Sequence, residues 1–101
     1  MAPRTEFHEI LAGILGSHNV YFQPPANIKM KYPAIVYDFS RLGAKRADNK
    51  VYSLRTAYDV TLIEYAPDSD KIPVIMDLPY AEFDRSFISD NLYHTTFTIY
   101  Y

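Results

Sequence analysis

Cysteine is absent from all 101 residues. Its absence removes a disulfide framework, a thiolate zinc site and a cysteine nucleophile together, and leaves the redox compartment unmarked. Glycine occurs only three times, at Gly13, Gly16 and Gly43, so there is no phosphate-cradling loop of the G-x-G-x-x-G or G-x-x-x-x-G-K-[ST] kind. Ser40, Ser53, Ser69, Ser86 and Ser89 all lack the flanking glycines of a nucleophile elbow. Neither charge sign dominates: ten Lys and Arg stand against twelve Asp and Glu, for a net charge of −2. A generic basic surface for nucleic acid is therefore not indicated. No apolar run approaches the roughly 20 residues that cross a bilayer. The stretch Met1-Ala2-Pro3-Arg4-Thr5-Glu6 lacks the apolar core of a signal peptide. These features predict a soluble chain that stays in the compartment where it is made.

Aromatic residues are plentiful, with ten Tyr and six Phe, and the chain is 49% hydrophobic. Ordering about 100 residues costs on the order of 100–200 kcal/mol of conformational entropy, and this apolar content is able to oppose it. The length fits one domain spanning 1–101.

Periodicity sets out the elements. Phe7, Ile10, Leu11, Ile14 and Leu15 form one apolar stripe at helical spacing, which predicts a helix over 5–15. Thr5 is its expected N-cap and Gly16 its C′ residue. Val20–Phe22 reads as a short strand ended by Pro24-Pro25. Ala34–Phe39 reads as a second strand, followed by a charged loop from Ser40 to Lys50. Tyr52–Glu64 is the longest strand expected, with Tyr52, Leu54, Tyr58, Val60 and Leu62 on a buried face and Ser53, Arg55, Asp59 and Thr61 on a polar one. Asp68 and Asp70 are expected to cap a helix bearing Ile72, Ile75 and Met76. Pro73 forces that helix to begin near Ser69 or Asp70. Ala81–Ile88 is extended, with Phe83 and Phe87 on one parity, and Tyr93–Tyr101 forms the last strand. The expected fold class is α+β: a mostly antiparallel sheet of four to five strands with two helices packed on one side.

The chemistry-bearing residues do not assemble. His8, His18 and His94 lack metal-ligand spacing, so no metal site is expected. Asp68 and Asp70 fail as a calcium loop, because Ile72 and Pro73 stand where a ligand and a glycine are needed. Asp84 and Arg85 read as an ion pair at a strand or subunit edge. With no catalytic residues and no cofactor site, a non-enzymatic role is expected. Arg41, Lys45, Arg46 and Lys50 cluster within ten residues, interrupted by Asp48 and flanked by Phe39 and Tyr52. Subunit contact ranks first for this loop, a solvated tip second and nucleic acid third, because Arg and Tyr are enriched at protein interfaces. Asp84 or Asp68 of an adjacent subunit would be its partner.

Several stretches resemble a known family. They are Arg46-Ala47-Asp48-Asn49-Lys50-Val51-Tyr52, Tyr58 through Ser69, Leu78-Pro79-Tyr80, Phe83 through Phe87 and Leu92 through Phe97. Together, over about residues 32–101, they resemble the small neck proteins of long-tailed bacteriophages and prophages, of the tail-terminator or head–tail joining type. The resemblance implies a structural subunit without cofactor or catalytic residues. Such a subunit forms a ring, commonly a hexamer, that caps the tail tube in the virion neck after assembly in the host cytoplasm. It implies as partners other copies of the chain, the tail-tube protein and a head-completion or connector protein. DNA passes through the lumen, and no membrane is involved. A head-side connector or stopper is the alternative within the family; a small nucleic-acid-binding module using the Arg41–Lys50 loop is the alternative outside it.

Overall fold

A computed structural model describes residues 4–40, 56–67 and 69–101. Along the chain it has α1 (Arg4–Leu15), β1 (Val20–Phe22), β2 (Ala34–Phe39), β3 (Ala57–Glu64), α2 (Lys71–Met76), β4 (Ala81–Ser89) and β5 (Leu92–Tyr100). The strands form one sheet in the order β1-β2-β3-β5-β4. The β1–β2 pair is parallel and the other three ladders are antiparallel. The fold is the α+β architecture expected, with one parallel edge.

Alternation along the strands explains the layering. Ile35, Tyr37, Tyr58, Val60, Leu62, Phe97 and Ile99 share one face of the sheet and are buried there with Phe7, Leu11 and Leu15 of α1 and Ile75 of α2. Both helices therefore lie on one side of the sheet. Phe7 is the hub, stacked on Tyr58 with ring centroids 4.7 Å apart and set edge-on to Tyr37 at 5.6 Å. Gly16 ends α1 as expected, in the left-handed region at φ 78°, with its N–H donating to the Ala12 carbonyl at 2.8 Å.

Several local expectations change. Thr5 lies inside α1, because the helix already includes Arg4. Asp70 occupies the N-cap position of α2 but makes no side-chain cap bond. Ser69 does this work instead, its Oγ accepting from the Lys71 N–H at 3.1 Å. Asp68 lies outside the described residues, as do Tyr52 and Leu54. The second face of β3 is not uniformly polar: Ala57 and Ile63 are buried on it beside exposed Asp59.

Phe83 and Phe87 do not share a face. The register slips between Phe83 and Arg85, so Phe83 lies opposite Phe97 while Phe87 lies opposite His94. The cause is a β-bulge at Asp84. The Thr96 hydroxyl fills it, within 3.0 Å of Asp84 Oδ2 and 3.1 Å of the Arg85 carbonyl, and accepts from the Arg85 N–H at 3.2 Å.

Candidate functional site

Arg41, Lys45, Arg46, Asp48 and Lys50, the loop ranked first for subunit contact, lie outside the described residues. Asp84 and Arg85 lie on β4, an edge strand as expected, but form no ion pair with each other. Asp84 is held by Thr96 in the bulge, and the Arg85 guanidinium sits over the Phe87 ring, 5.1 Å from its centroid. The Phe87 ring stacks in turn on the His94 imidazole at 4.8 Å and 15°. Arg85, Phe87 and His94 thus make a short column on the sheet face away from the helices.

The histidines are separate from one another. His18 is exposed after α1. His94 Nδ1 lies 3.0 Å from the Leu92 carbonyl. His8 Nδ1 lies 2.7 Å from the hydroxyl of fully buried Tyr37, which also accepts from Arg4 Nη1 at 3.1 Å. With Arg4 donating, the Tyr37 hydroxyl is free to donate to a neutral His8. Burial, and then the Arg4 guanidinium, hold the His8 imidazole below its ordinary value, with Glu9 opposing. This cluster satisfies the hydrogen bonding of a buried phenol. Among the described residues no three His, Asp or Glu side chains gather to hold a metal ion, and no helix is long and apolar enough to cross a membrane.

The feature that dominates the surface is β4 itself. It is one of the two outer strands of the sheet, nine residues long, and exposed from Phe83 to Ser89. Phe83, Phe87 and Ile88 are 50%, 39% and 65% exposed. Between this strand and α2 runs a groove of about 780 Å³, lined chiefly by Ile72, Met76, Phe83, Ile88, Tyr93 and Thr95, with His94 at its wall and no Asp, Glu, Lys or Arg among the described lining residues. Such an edge offers a row of backbone N–H and C=O groups to any extended chain, and natural proteins normally blunt it.

Here the blunting stops halfway. The first half of β4 carries the bulge together with Glu82, Asp84 and Arg85, while the second half, Ser86-Phe87-Ile88-Ser89, carries no charge and no proline. Asp90 and Asn91, both at positive φ, make a two-residue turn into β5. In such a hairpin Ser89 and Leu92 bond to each other, so alternation turns the N–H and C=O of Ile88 and Ser86 outward. The sequence signalled an extended run here. It did not signal an edge, because strand order is set by pairings remote in sequence.

The sheet's other face presents Asp38 and Asp59 directly opposite each other, both exposed. The two carboxylates repel a phosphate at that spot. No protein-family model, curated protein or solved structure matches the chain.

Proposed function

We propose that this chain is a structural assembly subunit that works by packing against copies of itself, and that it is a neck protein of the tail-terminator type. The observation that carries the reading is the unblunted half of β4 beside a mainly apolar groove. A large exposed apolar patch on a small domain marks a protein-binding surface, and a bare strand edge adds backbone hydrogen bonds to it. In this reading the subunits close a ring, the ring ends the tail tube and meets the head-side connector, and DNA passes through its lumen. The sequence resemblance supports the neck assignment; the edge and groove support assembly. The alternative of a nucleic-acid-binding module using the Arg41–Lys50 loop rests on residues outside the described ones, and the acidic pair Asp38 and Asp59 only makes the neighbouring sheet face a poor extension of such a site.

The test is the mass of the purified chain by light scattering over a range of concentrations, alone and with added tail-tube protein, together with negative-stain images. Rings are the expected result. A monomer under every condition refutes assembly. Tight, salt-sensitive binding of duplex DNA by that monomer would install the nucleic-acid reading instead.

A further inference from the structure

The connection from β1 to β2, residues 23–33, contains a stretch with the residue pattern of a strand and no place in a ladder. Ile28-Lys29-Met30-Lys31 alternates apolar and basic residues at period two, the pattern of a strand with one buried face. It belongs to no ladder, and Ile28, Lys29 and Lys31 are exposed. The Lys31 N–H donates to the Tyr21 hydroxyl at 3.2 Å, and the Ile28 N–H to the Pro25 carbonyl at 3.2 Å. Lys29 and Met30 make no hydrogen bond among the described residues. The ion pairs seen there belong to Lys71, with Glu64 and Asp70, so Lys29 and Lys31 have no carboxylate within the subunit among those residues.

This stretch is tied to the edge strand β1 by the bond from Lys31 to Tyr21, and β4 is the opposite edge of the sheet. The two surfaces are complementary. Residues 81–91 carry Glu82, Asp84 and Asp90 against a single cation, Arg85, whereas residues 23–33 carry Lys29 and Lys31 and no acid. The groove beside β4 needs apolar side chains, and Ile28 and Met30 share one parity. Ser86 and Ile88 offer outward backbone groups, and Met30 offers backbone groups with no partner among the described residues.

We infer that residues 28–31 of one copy add as a further strand to the Ser86–Ser89 edge of β4 in the next copy, with Ile28 and Met30 entering the groove against Ile72, Met76 and Ile88. This rests on the self-assembly proposed above and names its interface. The contact joins two different surfaces of the same chain, so it is head-to-tail and repeats around a ring or along a filament, where a symmetric contact would stop at a dimer.

A chain without cysteine permits a clean test. Residues opposite each other on neighbouring strands are within disulfide reach. The double variants Met30→Cys with Ser86→Cys, and Met30→Cys with Ile88→Cys, cover two registers. All of these positions are at least partly exposed, and circular dichroism checks that each variant is folded. After mild oxidation, one double variant should run as a ladder of covalent multimers on a non-reducing gel, and the single variants should not. Lys29→Glu with Lys31→Glu should raise the concentration needed for assembly, with the wild-type contact weakening as salt is added. Dimers from Ser86→Cys or Ile88→Cys alone would instead mean that β4 pairs with itself, and would overturn the inference. If the wild type assembles while neither double variant cross-links, the interface lies elsewhere and the assembly proposal survives. If the wild type stays monomeric and nothing cross-links, both fail.

Discussion

Phe7 is the residue on which the two layers close. It is fully buried on α1, and three rings surround it: Tyr58 at 4.7 Å, Tyr101 at 5.1 Å and Tyr37 at 5.6 Å. Truncating a core Phe to Ala costs about 3–5 kcal/mol in transfer and cavity terms. Each well-placed aromatic pair adds about 0.5–1.5 kcal/mol beyond its buried area. Three partners put Phe7→Ala at the upper end, about 4–5 kcal/mol. Domains of this size are stable by only about 5–15 kcal/mol, and each kcal/mol moves the melting point of a domain this small by about 4–8 °C. The variant should therefore melt at least about 15 °C lower, or fail to fold at all.

Phe7→Leu separates volume from ring geometry. Leucine keeps much of the apolar volume and loses the three ring pairs, so its cost should fall to about 1–3 kcal/mol. The assay is urea unfolding followed by far-ultraviolet circular dichroism, with near-ultraviolet tyrosine signals as a second probe, since the chain has no tryptophan. A loss below about 1 kcal/mol for Phe7→Ala would refute the claim that α1 is anchored through this ring.

Leu62 faces the same core from β3 and is 1% exposed, so Leu62→Ala should cost about 2–5 kcal/mol by urea unfolding. Two glycines should respond with opposite signs. Gly16 sits at φ 78° with nothing near an added Cβ, so Gly16→Ala should lose about 1 kcal/mol to backbone strain alone. Gly13, inside α1 with equally open space, should gain about 0.5–1 kcal/mol as Gly13→Ala. Because the folded state holds His8 below its ordinary value of 6.5, the unfolded chain binds the proton more readily. Stability should therefore fall as pH drops through the mid-sixes and level off below the folded value. His8→Gln should flatten that part of a melting-temperature profile, and an unchanged slope would place the proton elsewhere.

The elements legible from the residues are those whose signal is local. The stripe Phe7, Ile10, Leu11, Ile14 and Leu15 needs only helical periodicity, and α1 buries three of its members outright. Tyr58, Val60 and Leu62 needed only alternation. What escaped depends on contacts remote in sequence. The Asp84 bulge exists because Thr96 of another strand offers a hydroxyl there, and it alone puts Phe83 and Phe87 on opposite faces. Asp84 and Arg85 look like an ion pair in sequence, yet the bulge gives Asp84 to Thr96 and leaves Arg85 to the Phe87 ring. The parallel pairing of β1 with β2 was equally hidden, since Val20–Phe22 carries no mark of strand direction. The same limit concealed the candidate site: Ser86–Ser89 is identical in composition whether β4 is central or outermost.

That position gives β4 its meaning. A central strand with Phe87 and Ile88 on adjacent positions would bury both, one in each face, and its lack of charge would need no explanation. At the edge the same residues leave Ile88 mostly in water and the backbone of its outer side without partners in the sheet. Selection for a stable monomer alone would favour a lysine or a proline there, at little cost to the core. The first half of the strand has such devices, in its bulge and its three charged residues. The turn after the second half has Asp90, and residues 86–89 have none. Protection on both sides of an unprotected segment limits which extended chain is able to pair there and in what register. An incoming strand must be short, and it must be apolar on the side facing α2. It must also carry positive charge to suit Glu82, Asp84 and Asp90. Residues 28–31, tied to the opposite edge strand β1, meet all three conditions.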